Sequence, residues 1–148
     1  MRNTAKKAQK GFTLIELLIV IAVIAILAAI AIPNLLSSRK AANESSAIAS
    51  LRTIVSAEET YRSRDASHSY ADLAALGTAK LLDETLGKDP FTKSGYKFAG
   101  AADPNTYSFT ADPETDGSSG DRGFFVDQTG VIRVSPAKGA TVASPPIQ

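Results

Sequence analysis

From Phe12 to Ile32 the chain runs for 21 residues with two polar side chains, Thr13 and Glu16. Fourteen of the others are Leu, Ile, Val or Phe and five are Ala. At about 1.5 Å per residue such a helix is about 32 Å long, close to the hydrocarbon thickness of about 30 Å. Each large apolar residue favours insertion by roughly 0.3–0.6 kcal/mol, and a central charge opposes it by roughly 2.5–3.5 kcal/mol. The run therefore inserts despite Glu16, which lies near one end where the cost is lower. The competing reading is a core helix of a soluble domain. The rest of the chain is too small and too polar to wrap a helix that is apolar on every face.

The preceding segment, MRNTAKKAQKG, holds Arg2, Lys6, Lys7 and Lys10 and no acid. The positive-inside rule keeps this end in the cytoplasm and places the remainder outside. A secretory signal would carry a small-residue cleavage site after the apolar block. Ala28–Ala31 runs instead into more apolar sequence and Pro33, and the glycine, Gly11, stands before the block.

The stretch KGFTLIELLIVIAVIAILAAIAIPN, with its basic leader, Gly11, Phe12, Glu16, unbroken apolar helix and Pro33, resembles the N-terminal signature of type IV prepilins and of the pseudopilins of type II secretion. The resemblance covers the first sixth of the chain. It implies a cleaved leader at 1–11, cut between Gly11 and Phe12 by a prepilin peptidase, with N-methylation of the new Phe12 amine. It implies an inner-membrane assembly platform as partner, and self-association into a helical filament. In the filament the carboxylate of Glu16 meets the Phe12 amine of a neighbouring subunit and sets axial register. An unpaired charge in a low-dielectric core is costly and a paired one is tolerable, which gives the glutamate its physical reason. Before assembly the two groups, one turn apart, partly neutralise each other. The precursor is expected as a single-pass inner-membrane protein with its leader in the cytoplasm. The processed chain then belongs in an extracellular pilus or a periplasmic pseudopilus.

The predicted fold class is α+β on the pilin plan. A transmembrane or filament-core helix covers 12–33, and an amphipathic continuation covers 34–64. Pro33 lacks an N–H and crowds the turn below it, so a kink is expected there without an end to the helix. Beyond it, Ile48, Leu51, Ile54, Val55 and Tyr61 form one apolar stripe, with Ala41, Ala42 and Ala47 as small neighbours. Arg39, Lys40, Glu44, Arg52, Glu58, Glu59 and Arg62 read as a solvated face. A head over 65–134 should open with one or two short helices in YADLAALGTAKLLDETLG, broken at Gly77. Three or four antiparallel strands follow, carried by YKFAG, TYSFTAD, GFFVD and GVIRV. The last two flank an Asp127–Gly130 turn. Residues 135–148, aperiodic and with three prolines, read as a mobile tail.

Without the leader the chain has 12 basic and 15 acidic residues, which gives no electrostatic case for nucleic-acid binding. There is no cysteine, so the C-terminal disulfide loop of many pilins has no counterpart here. An enzyme is not expected. His68 is the one histidine, in a polar loop, and no nucleophile elbow, phosphate loop or HExxH occurs. No cofactor is expected. The segment DPETDGSSGDRG mimics the opening of an EF-hand with Asp112, Glu114, Asp116 and Gly117, but Gly123 stands where the bidentate glutamate belongs. A looser Ca²⁺ loop from Asp112, Glu114, Asp116 or Asp121 is the weak alternative to a solvated turn, and calcium in a C-terminal loop is a feature of major pseudopilins. DPFTKSGYKF, at Asp89–Phe98, has a faint likeness to a pseudopilin segment. Three functions follow: a type IV pilus subunit, a pseudopilin of type II secretion, and a membrane-tethered binding head that never polymerises. The prepilin signature weighs against the third.

Overall fold

The computed structural model describes residues 11–147, so the basic leader residues Arg2, Lys6, Lys7 and Lys10, and the orientation read from them, lie outside the described residues. Helix α1 (Leu14–Arg64) contains Pro33 in its interior. The chain divides after Leu35 into two units.

In the first unit the helix shows its side chains on every side. Phe12 is 93% exposed, and Ile15, Ile19, Ile24 and Ile30 are all more than half exposed. Within this unit the uninterrupted apolar run leaves no polar face on the helix beyond Glu16.

In the second unit α1 buries Ala47, Leu51, Ile54 and Ala57, spaced as one helical stripe. Ile48, Val55 and Tyr61 flank it, partly buried. Ala47 and Ala57 are small enough for the sheet to close on the helix. The sheet brings Tyr96, Phe98, Phe109, Phe124 and Val126, each at most 1% exposed, into the same core. The result is an α+β fold: the C-terminal half of a long helix packed on one antiparallel sheet.

The sheet has five strands in the order β1-β2-β3-β4-β5, each antiparallel to the next: β1 (Thr92–Lys93), β2 (Tyr96–Ala102), β3 (Tyr107–Pro113), β4 (Gly123–Asp127) and β5 (Arg133–Ser135). Tyr96, Phe98, Phe109 and Ala111 point inward at the alternating positions read from the sequence, with Phe98 opposite Ala111. The fifth strand exceeds the three or four expected. It is β1, two residues long, paired to β2 through a Ser94–Gly95 turn in which both residues have positive φ, 51° and 71°. Two positive φ values suit the twist of a two-residue hairpin, and a Ser-Gly dipeptide between Thr-Lys and Tyr-Lys is a weak form of that signal. The β4–β5 connection is looser than a tight hairpin. Asp127 Oδ1 accepts from the Thr129 backbone N–H and hydroxyl, and Gly130 turns at φ 72°. This extra length sends Ile132 into the core at 6% exposed and shortens GVIRV to a strand that begins at Arg133.

Two further expectations are corrected. Gly77 does not break a helix. It lies inside α2 (Leu73–Thr78), capped by Asp72, whose carboxylate accepts from the Ala75 N–H at 2.7 Å. A Cβ on Gly77 would overlap the backbone of Gly87, so the glycine permits close approach of the loop that follows. Nor do residues 135–147 form a mobile tail. Val134 N–H donates to Pro145 O at 2.8 Å and Ile147 N–H to Ile132 O at 2.9 Å, so the chain folds back along β5. Ala140 is buried, and the Gly139 N–H bonds Asp112 Oδ1 at 3.0 Å. Pro145, which has no N–H, supplies only its carbonyl to this pairing.

Candidate assembly site

The first helical turn is built from Thr13 and Glu16. The Thr13 backbone N–H and hydroxyl each donate to Glu16 Oε2 at 2.8 Å, and the Glu16 N–H donates to Thr13 Oγ1 at 3.3 Å. This is a reciprocal capping box, in which two helix-start donors are satisfied by side chains three residues apart. The Thr-x-x-Glu spacing was present in the sequence and not read as a cap. One oxygen of Glu16 is thus held by its own chain, and Phe12 and Gly11 stand exposed immediately before it. Pro33 lies inside α1, and the Asn34 side-chain amide donates to Ile30 O at 3.1 Å, a polar brace on the turn beneath the proline.

The loop that suggested a cation site is spanned by other contacts. Asp112 Oδ1 takes the Gly139 N–H. Asp116 pairs with Lys138 at 3.3 Å and Asp121 with Lys40 at 3.0 Å. Glu114 is exposed. Among the described residues no three His, Cys, Asp or Glu side chains come together as a ligand set. The loop is fastened to α1 instead. Glu44, 7% exposed, accepts the N–H groups of Asp121 and Arg122 on one oxygen, and the Arg122 guanidinium on the other at 2.7–2.8 Å. Tyr96 Oη donates to Arg122 O at 2.8 Å, and Gly120 lies so close that a Cβ there would overlap the same hydroxyl.

Glu44 and Glu58 therefore do not belong to a solvated face. Glu58 is fully buried, and its Oε2 accepts the Ala71 N–H at 3.0 Å. Neither was distinguishable by sequence from exposed neighbours such as Glu59. The only available signal was position, because both flank the Ala47–Leu51–Ile54–Ala57 stripe. His68 sits in the loop after α1 at φ 53°, its carbonyl bonded by Arg62 Nε.

Two features stand out: an exposed apolar helix begun by the Thr13–Glu16 cap, and an amphipathic helical half packed on a small antiparallel sheet. The prokaryotic N-terminal methylation motif matches residues 6–32. The chain is 52% identical over 79 residues to the type IV wide pilus major component PilA4 of Thermus thermophilus, covering 52% of this chain and 56% of that protein. It is 43% identical over 65 residues to the type IV major pilin PilA of Myxococcus xanthus, covering 44% of this chain and 29% of that protein. It is 36% identical over 62 residues to the type II secretion system core protein G of Escherichia coli, covering 42% and 41%. The chain thus carries a prepilin-type N terminus, and its relatives are type IV pilins and type II secretion pseudopilins. The matches span between 29% and 56% of those relatives' length. No solved structure matches the chain.

Proposed function

We propose that this protein is a structural subunit of a type IV pilus, cut between Gly11 and Phe12, N-methylated on Phe12 and polymerised through α1. Its role is structural and not catalytic. A prepilin peptidase and an inner-membrane assembly platform act on it, and its final location is the extracellular filament. The observation that carries this reading is the capped Thr13–Glu16 start of an exposed helix that is apolar on every side, within a matched methylation motif. Cleavage would convert the Phe12 amide into an amine with a reference pKa of about 7.7–8.0, and so create a cation beside a carboxylate. In a packed helical core that cation and the Glu16 of a neighbour would neutralise each other, and only one stagger of helices allows it. Pro33 would give the helix a place to bend during packing.

A second reading, a pseudopilin, is favoured by the similarity to secretion protein G. Identity is higher and longer to the pilins, 52% over 79 residues against 36% over 62. Deleting the gene and scoring sheared surface filaments and secreted proteins separately distinguishes the two. Loss of filaments with normal secretion is expected. Loss of secretion with filaments intact would overturn the pilus assignment in favour of the pseudopilus.

A further inference from the structure

The segment 65–72 crosses from the end of α1 to α2 as a strap fastened at three places. Asp65 accepts from Ser67 and Ser69 at the surface. Arg62 donates to His68 O at 3.0 Å and to Tyr70 Oη at 2.6 Å, with its guanidinium 4.7 Å from the Tyr70 ring centre. The third fastening, Glu58 to the Ala71 N–H, is the buried one. Beneath the strap Tyr70 packs edge-on against Tyr107 of β3, centroids 4.8 Å apart.

Glu58 Oε1 is buried with no hydrogen-bond partner, and so is the Tyr107 hydroxyl. The groups whose charge acts on Glu58 or on the Tyr107 hydroxyl are Glu59 on α1, Tyr70 and Asp72 on the strap and Asp127 at the end of β4. Those that ionise do so to anions. Arg62 is committed to His68 and Tyr70, and among the described residues Glu58 forms no ion pair. An ionised Glu58 would be a buried charge with a single N–H to offset it, which burial disfavours strongly.

We propose that Glu58 is a neutral carboxylic acid when the strap is closed, and that its ionisation opens 65–72 and uncovers the Tyr70–Tyr107 pair. The strap is then a proton-controlled latch at the C-terminal end of α1, and each opening releases one proton to solvent. Burial pushes the Glu58 carboxyl up, opposed by the Ala71 N–H and aided by Glu59 and Asp72, to about 7. The switch therefore falls near neutrality. It is independent of the filament reading.

The test is hydrogen exchange of the whole chain in detergent micelles from about pH 3.5 to about pH 8.5, with intrinsic rates divided out. Protection of the Ala71 amide is expected to be constant below about 4.5, to fall about tenfold per pH unit between about 4.5 and about 7, and to level off above that, the pattern of a one-proton linkage. Glu58→Gln keeps an acceptor for Ala71 and removes the proton, so its protection should be flat. Wild-type protection flat across the range, or the same slope in Glu58→Gln, would overturn the latch. Should the variant misfold, the wild-type Glu58 carboxyl ¹³C shift decides alone. A midpoint near 7 supports the latch, and one near the ordinary 4.5 overturns it.

Discussion

Glu44 on α1 and Arg122 before β4, 78 residues apart in sequence, hold the C-terminal loop to the helix. The carboxylate takes the guanidinium on one oxygen, at 2.7 Å to Nη2, and two successive backbone N–H groups on the other. Lys40, one helical turn earlier, pairs with Asp121 beside it. In a chain with no cysteine, this charged contact does at the loop what a covalent closure could do elsewhere. The carboxylate is buried while Arg122 keeps about half of its side chain in water, 10% and 49% exposed, so the glutamate is the partner whose removal matters.

Glu44→Ala should lower unfolding stability by about 1.5–3 kcal/mol, the usual range for hydrogen bonds to a charged group. It should also open the 113–122 loop to proteases first. Denaturant unfolding of the micelle-bound chain, with timed proteolysis, checks both. Lys40→Ala, which breaks a more exposed pair, should cost at most about 1 kcal/mol.

Gly77→Ala forces a methyl into the Gly87 backbone and should cost about 1–3 kcal/mol through overpacking. Gly117→Ala is the contrast. It meets open space and suffers from its φ of 73° alone, so its cost should stay at or below about 1 kcal/mol. Thermal melts of the two variants side by side measure the difference.

Two carboxylates set the acid limit. Asp65, through Ser67 and then Ser69, is held at about 2, and Asp83, through Lys93 and then Thr85, at about 2, against an ordinary 3.8. Both pKa values are depressed on folding, so their stabilisation is complete above about 3.8 and is lost as pH falls through about 2. Glu58 has the opposite sign, with stabilisation complete below 4.5 and lost as pH rises through about 7. Urea midpoints should therefore peak on the acid side of neutrality. Asp65→Asn should flatten the acid limb, and Glu58→Gln the neutral one.

How much was legible follows from which residues carry local signals. The alternation of Tyr96 with Phe98 and of Tyr107 with Phe109, and the Leu51–Ile54 stripe, depend on periodicity, and each is buried as that periodicity requires. Glu44 and Glu58 look like surface acids until a distant loop or strap covers them. Gly77 reads as a breaker because its neighbour Gly87 is close only in space. The terminal segment looks unstructured in sequence because a return paired only through the Pro145 carbonyl and the Ile147 N–H has no alternating pattern to read.

Processing makes a further prediction. The mature chain should begin with N-methylated Phe12. Intact-mass and N-terminal peptide mass spectrometry would show this. A product that begins at Met1 in assembled material, or one cut after Ala31, would contradict the Gly11–Phe12 junction. A bulky or charged residue at Gly11 should leave the leader attached, whereas Gly11→Ala should slow cleavage at most.

The central claim is that Glu16 serves assembly and not insertion. Glu16→Val removes a charge whose insertion cost is roughly 2–3 kcal/mol, so the membrane-resident amount should be unchanged or higher. The Phe12 amine then lacks its partner in the packed core, at about 3–5 kcal/mol for each subunit. The deciding measurement is the yield of sheared surface filaments from cells carrying only Glu16→Val, compared with wild type at equal levels of processed membrane protein. Few or no filaments is the expected result. Wild-type filament yield from the variant alone would contradict it.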